Sequence, residues 1–335
     1  MGTVKNRLAE ERDQLGNQLP LRTPFVLVVD PSSICNLRCR FCPSGYDDLI
    51  KKTGRQQKVM DLELFQKFVE QLLEFPEDIK VLRLYKEGEP LVNPNFEQMV
   101  ACAKRSKKIK RIDTTTNGLL FSKERNRRII DAGIDQINIS VNGVSSQQMK
   151  YYTNREVDFQ AYTENIRDLY QHKGDCLIYI KAIQDNLTEE EQEKFFDIFG
   201  EISDRIFLER LAPAWPDFEA DCIPDSFETG HYGQKIEPRT VCPYIFYTIV
   251  VNADGSVSSC VGDWKHEQVL GDIKKESLYS IWNTTMRDMW LHHLKGCKDD
   301  YSMCRRCKVI THGCLDNIDD VKDNILKILE QDYES

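Results

Sequence analysis

Cys35, Cys39 and Cys42, in the stretch DPSSICNLRCRFCPSG, are separated by three and then two residues. Three thiolates on one short loop can hold three corners of a cubane iron–sulfur cluster and leave the fourth iron without a protein ligand. An open iron is where a cofactor can bind and be reduced, so the spacing points to chemistry rather than to scaffolding. A zinc knuckle is the alternative, but zinc would want a fourth Cys or His close by, and the nearest downstream cysteine is Cys102.

A second set lies far along the chain: Cys242, Cys260, Cys304 and Cys307, with seventeen residues between the first two and a closing Cys-Arg-Arg-Cys. Four thiols can fully ligate a second cluster or a structural zinc, and the thiols alone leave both open. Cys297 and Cys314 lie nearby as alternate ligands. Cys222, in FEADCIPD, belongs to neither set. Lys181 and Arg210 sit on strand-like runs where an inward charge is costly to bury unpaired, which makes both candidate substrate contacts. Cys102 and Cys176 fall in helix and strand patterns and read as core.

Apolar strand-like runs at 25–29, 80–85, 110–115, 135–141, 176–182 and 205–211 must carry these residues. Between them lie amphipathic patterns at 61–74, 95–105, 122–132, 158–172 and 188–199, with Asp61, and Thr188 with Glu191, as helix starts. Strands joined by helical crossovers predict an α/β fold with a helix-covered parallel sheet. The triad follows the first strand, at the C-terminal end where α/β barrels gather their sites. The stretch IFYTIVVNADGSVSSC predicts a hairpin that brings Cys242 and Cys260 together. The expected organisation is an N-terminal tail over 1–20, a barrel over 21–212, a linker over the site at 213–238, an auxiliary domain over 239–316 and a terminal helix over 317–335. Disorder is expected to be confined to the first twenty residues and the last few.

The triad, with Phe41 before its last cysteine, resembles the radical SAM superfamily. Gly88-Glu89-Pro90 after the second strand run resembles the family element that binds the methionine amino group of S-adenosylmethionine. Thr116-Asn117 and Ser140 with Asn142 fall where the next strands of the family contact the cofactor. The resemblance implies a partial (β/α)6 barrel and reductive cleavage of S-adenosylmethionine to a 5′-deoxyadenosyl radical. The Gly255 to Cys260 spacing, the Gly271-Asp272-Ile273 turn and the closing Cys-Arg-Arg-Cys are similar to the SPASM/Twitch extension of that family. Its shorter, Twitch-like form would carry one fully ligated auxiliary cluster, so the implied cofactors are S-adenosylmethionine and two 4Fe-4S clusters.

Twelve cysteines in a chain without an export signal argue for metal ligation in a reducing, cytoplasmic setting. A net charge of −9 disfavours general nucleic-acid binding. The basic run Lys104 to Arg111 reads as a solvated face or as a dock for an acidic reductant, flavodoxin or ferredoxin. No apolar run reaches the roughly 20 residues that span a bilayer. The family likeness implies an oxidoreductase or epimerase acting on a small carbohydrate-like substrate, because the residues before the first strand are too few for a leader-binding domain; in an epimerase the Cys222 thiol would donate a hydrogen atom to the substrate radical. Peptide or protein maturation is the alternative activity, and a zinc-stabilised interaction protein the non-catalytic one.

Overall fold

The computed structural model describes residues 1–6, 14–223, 228–313 and 316–334. Among the described residues ten strands form one sheet: β1 (Thr3–Val4), β2 (Val26–Val29), β3 (Ile79–Leu84), β4 (Ile109–Thr116), β5 (Gln136–Ser140), β6 (Leu177–Ile183), β7 (Arg205–Glu209), β8 (Thr248–Val251), β9 (Ser256–Ser258) and β10 (Val269–Asp272). Their spatial order is β1-β7-β6-β5-β4-β3-β2-β8-β9-β10. The six expected barrel strands are β2 to β7, all parallel and in sequential order. The five expected crossover helices are Leu62–Gln71, Phe96–Arg105, Lys123–Asp131, Phe159–Gln171 and Glu189–Phe199. The last opens on the capping box read from Thr188 and Glu191, which satisfies two backbone N–H groups that would otherwise lack partners.

Strand alternation sorts the side chains. Leu27, Val29, Leu82, Leu84, Ile137, Ile139, Ile178 and Ile180 join the large apolar core under the helices. The opposite face of the same strands lines the barrel interior: Val26 and Val28 pack with Val250 at one side, while Asp113, Asn138, Tyr179, Lys181 and Glu209 occupy the rest. A polar lumen needs partners for its buried groups: Asn138 Nδ2 donates to the Thr114 carbonyl at 2.7 Å, and the Tyr179 hydroxyl lies 3.3 Å from Glu209 Oε1.

Two features depart from the sequence expectation. Thr3–Val4 lies inside the expected tail but extends the sheet, pairing in parallel with Arg205 and Ile206. Two residues carry too little periodicity to announce a strand. The expected hairpin is present as β8 and β9, joined by Asn252 to Gly255, yet β8 also pairs in parallel with β2 over four residues. The barrel sheet therefore runs without a break into the C-terminal extension. Helices Leu278–Asn283 and Thr285–Leu294 cover that extension, and Trp282 and Trp290 pack edge to face with centroids 4.8 Å apart. Each indole N–H finds a carbonyl, that of Leu21 for Trp282 and that of Ile245 for Trp290, as buried tryptophans require. The terminal helix spans Lys322–Glu334, with Ile325 and Leu329 buried.

Candidate functional site

The Cys35–Cys42 loop leaves β2 at the C-terminal end of the sheet. It is held by backbone bonds to the end of helix Ser146–Thr153: the Arg38 and Arg40 N–H groups donate to the Thr153 and Tyr152 carbonyls at 2.9 and 3.0 Å. On its other side the Glu89 N–H donates to the Ile34 carbonyl at 3.1 Å. Gly88 allows that approach, because a Cβ there would lie 2.2 Å from the Ser32 carbonyl oxygen and 2.5 Å from that of Ile34. Burial pushes the Cys35 thiol up to about 12, and burial with like charge from Cys42 and Cys35 raises Cys39 well above the ordinary thiol range. Cys42 is raised by burial too. Three adjacent half-buried thiols that resist ionising without a counter-charge fit an iron–sulfur core, which supplies that charge. The Leu37 N–H points at Cys35 Sγ from 3.5 Å, the kind of N–H···S contact that tunes a cluster.

The expected cofactor-binding residues form a tied rim beside this loop. Glu89 is buried, and its carboxylate accepts from the Thr116 hydroxyl at 2.6 Å, the Asn117 N–H at 2.8 Å and the Leu91 N–H at 3.1 Å. Burial raises its pKa against the pull of those donors. Glu89 thus joins the loops after β3 and β4, while Asn117 Nδ2 reaches Asn36 Oδ1 on the cysteine loop at 2.7 Å. Pro90 is buried and Phe41 half-buried, and Ser140 closes β5 opposite Lys181, with Asn142 two residues beyond.

The second thiol set also converges. Burial raises Cys260 well above the ordinary range, reinforced by Cys242, Cys307 and Cys304. Cys304 is raised as well, and Cys307 is pushed up to about 11, both first by burial and then by Cys242. The Gly262 N–H points at Cys260 Sγ from 3.4 Å. Asp319 holds the approach to Cys242, accepting from the Thr240 and Val241 N–H groups at 2.8 and 2.9 Å. Among the described residues no three Cys, His, Asp or Glu side chains are drawn together as around one bound ion. Cys297 is exposed, its sulfur facing the Lys295 carbonyl, and it does not act on the other four. Cys314 lies outside the described residues. Cys176 is buried in the core, whereas Cys102 is half-buried against its edge.

Between the two thiol sets lies a polar hub that the sequence did not announce. Glu87 ion-pairs with Arg55, their side chains 1 and 0% exposed. Lys86 Nζ is 2.6 Å from Glu87 Oε1, 2.7 Å from Asn252 Oδ1 and 3.1 Å from the Asp263 carbonyl. His266 Nε2 lies 2.8 Å from Glu87 Oε1. Arg55 donates to the Trp264 carbonyl at 2.9 Å and lies 3.3 Å from the Ser44 hydroxyl, two residues past Cys42. Burial would raise the Glu87 carboxyl, but Lys86, the His266 hydrogen bond and Arg55 hold it down at about 2. Asp30, at the end of β2, is buried without an ordinary hydrogen-bond partner on either oxygen. Burial and the negative charge of Glu87 push it up to about 7.

The substrate candidates separate. Lys181 projects into the lumen and ion-pairs with Glu209, which is 3% exposed and also lies 2.9 Å from His231 Nε2. Arg210, beyond the end of β7, is 47% exposed and pairs with Asp185 at 3.2 Å. Alternation gives the lumen to Glu209 and turns its neighbour outward. Cys222 is half-buried within electrostatic reach of Arg40 and Tyr46. Burial raises its thiol. A cavity of about 160 Å³ opens where the chain leaves β7, lined by Ala212, Trp215, His231, Tyr232, Tyr244 and Cys260 among others. Cys222 does not line it.

The family model described as the radical SAM superfamily matches residues 29–197. The chain belongs to that superfamily. A second model, an iron–sulfur cluster-binding domain of SPASM type, matches residues 242–308, which contain all four converging thiols. The matched domains imply S-adenosylmethionine and 4Fe-4S clusters as cofactors. Among curated relatives, a GTP 3′,8-cyclase of Staphylococcus haemolyticus is 28% identical over 174 residues, 48% of this chain and 44% of that protein. A GTP 3′,8-cyclase of Aquifex aeolicus is 31% identical over 144 residues, 42% of each. The chain spans less than half the length of these relatives. Similar folds cover more of it: BtrN in complex with AdoMet and 2-DOIA has a TM-score of 0.53 at 18% identity, over 85% of this chain and 92% of that one. Native anSMEcpe with bound AdoMet has a TM-score of 0.60 at 16% identity, over 92 and 96%. SuiB of Streptococcus suis bound to S-adenosylmethionine has 0.57 at 14%, over 80 and 67%. Among the described residues no helix is long and apolar enough to cross a membrane.

Proposed function

We propose that this radical SAM enzyme oxidises a secondary alcohol of a small ring polyol, of the sugar or aminocyclitol class, to a ketone. The observation that carries the reading is the auxiliary site: four converging thiols, one for each iron of a cubane, with one of them, Cys260, in the wall of a small aromatic-lined cavity. A cluster so held has no open iron for a substrate atom and suits electron transfer. With both clusters bound, the carbinol carbon would lose a hydrogen atom to the deoxyadenosyl radical, a proton to the protein and an electron to the auxiliary centre. In this reading Cys35, Cys39 and Cys42 hold the N-terminal cluster, with Gly88, Glu89, Pro90, Thr116, Asn117, Ser140, Asn142 and Phe41 around the cofactor. The fold shared with BtrN, whose complex contains 2-DOIA, supports the substrate class. The electron donor would be flavodoxin or ferredoxin.

Cys222 stands apart from the cavity, beside Arg40 and Tyr46, which favours oxidation over epimerisation with Cys222 as hydrogen donor. The GTP cyclases supply the competing reading through their sequence likeness. After anaerobic reconstitution the enzyme should hold about eight iron per chain, the content of two cubanes. It should form 5′-deoxyadenosine on reduction and give a ketone, without solvent deuterium at the reacting carbon, from an aminocyclitol such as 2-deoxy-scyllo-inosamine. Turnover of GTP instead, or deuterium incorporation abolished by Cys222→Ala, would overturn the proposal.

A further inference from the structure

β1 and β8 end the parallel run of the sheet, and the cavity opens where the chain leaves β7. Its walls come from the chain leaving β7 (Ala212, Trp215), from the following segment (His231, Tyr232), from the approach to β8 (Tyr244) and from the auxiliary site (Cys260). About 160 Å³ is the scale at which a cavity accepts one six-membered ring; an apolar cavity of about 150 Å³ holds benzene. Aromatic walls give such a ring flat faces to lie against. Two histidines, His231 and His312, line the cavity; His231 lies 2.9 Å from Glu209, whose other face meets Lys181 and Tyr179 in the lumen.

A buried carboxylate that orients an imidazole is the arrangement that makes histidine a competent base. Glu209 is nearly inaccessible, and the Lys181 ammonium supplies the opposite charge that permits its burial. With Nε2–H donating to Glu209, Nδ1 of His231 carries the lone pair. The residues of this pair come from β7 and from a segment 22 positions later, so neither is there by local sequence necessity.

We propose that this cavity is a substrate subsite, that it takes a single hydroxylated six-membered ring, and that His231 accepts the substrate hydroxyl proton with Glu209 positioning it. The inference rests on the oxidation proposed above. In the proton step the substrate O–H bond breaks, the proton passes to Nδ1 of His231, and the electron pair stays on the oxygen. Lys181 then acts through Glu209 as a positioning residue, which gives the lumen lysine a role without contact to the reacting carbon.

The test uses reconstituted holoenzyme with S-adenosylmethionine and measures binding by calorimetry, with 2-deoxy-scyllo-inosamine as the probe and GTP as the competing class. Saturable binding of the aminocyclitol to the wild type is expected, weakened at least tenfold in both His231→Ala and Trp215→Ala, with no competition by GTP. His231→Ala and Glu209→Gln should also abolish ketone formation while 5′-deoxyadenosine still forms. Iron content equal to wild type shows that a variant is folded, and Trp215→Ala probes the cavity wall without disturbing the ion pairs should Glu209→Gln lose iron. Equal affinity in the variants, competition by GTP, or no aminocyclitol binding to the wild type overturns the inference. A wild type that binds the aminocyclitol but makes no ketone overturns the oxidation reading instead, so the two failures are told apart.

Discussion

Glu87→Gln removes the one carboxylate that Arg55, Lys86 and His266 share in the hub between the two thiol sets. A carboxyl held at about 2 rather than 4.5 in the folded state corresponds to roughly 3 kcal/mol at neutral pH. Loss of one partner of a buried ion pair is put at a similar ~3–5 kcal/mol. The stabilisation is complete above the unfolded-state value near 4.5 and is lost as pH falls towards 2. Asp30 has the opposite sign. Its pKa is raised from 3.8 to about 7, so the folded chain holds that proton more tightly than the unfolded chain. Stability is lost as pH climbs from about 4 to 7, up to ~4 kcal/mol by pH 8. Asp30→Asn should therefore stabilise at pH 8 and do little at pH 4. Once Glu87 is gone, Asp30 can ionise and replace the missing charge, so Asp30→Asn/Glu87→Gln should be worse than the sum of the single changes. Anaerobic urea unfolding of the holoenzyme at pH 6 and 8, followed by circular dichroism, measures all four corners of this cycle. A destabilised Asp30→Asn at pH 8, or an additive double mutant, would refute the reasoning.

Gly88→Ala places a Cβ against the Ser32 and Ile34 carbonyls and should expel the N-terminal cluster. Iron analysis is expected to fall from about eight to about four per chain. Cys260→Ala should cause the same loss from the auxiliary site, whereas Cys297→Ser should keep full iron because its thiol is exposed and apart. Asp319→Ala leaves two backbone N–H groups ahead of Cys242 uncapped, at a cost of about 1–3 kcal/mol. The auxiliary absorbance should then bleach faster under chelator than in wild type.

The sequence showed most clearly what is local. The Cys35–Cys42 spacing, the Thr188–Glu191 capping box and the Asn252–Gly255 turn are each complete within a few residues, and all three appear in the fold. The strand runs were legible because their alternation against the helical core is strong. The hub was not, since His266 and Glu87 are 179 positions apart and no pattern at either end names the other. The same holds for Lys181 and His231, which meet only through Glu209. Arg210 looked equivalent to Lys181 in sequence. It differs because the strand has ended and its side chain is left exposed beside Asp185.

Because β8 is laced onto β2 residue for residue from Val26–Thr248 to Val29–Val251, the strand that launches the first thiol loop also carries the hairpin leading to Cys260. The spacing of the two thiol-bearing loops is therefore set by a backbone ladder rather than by a hinge. Excising the extension would strip β2 of a neighbour and present a bare, apolar edge to other chains, so a shortened barrel would be expected to clump before it could be assayed.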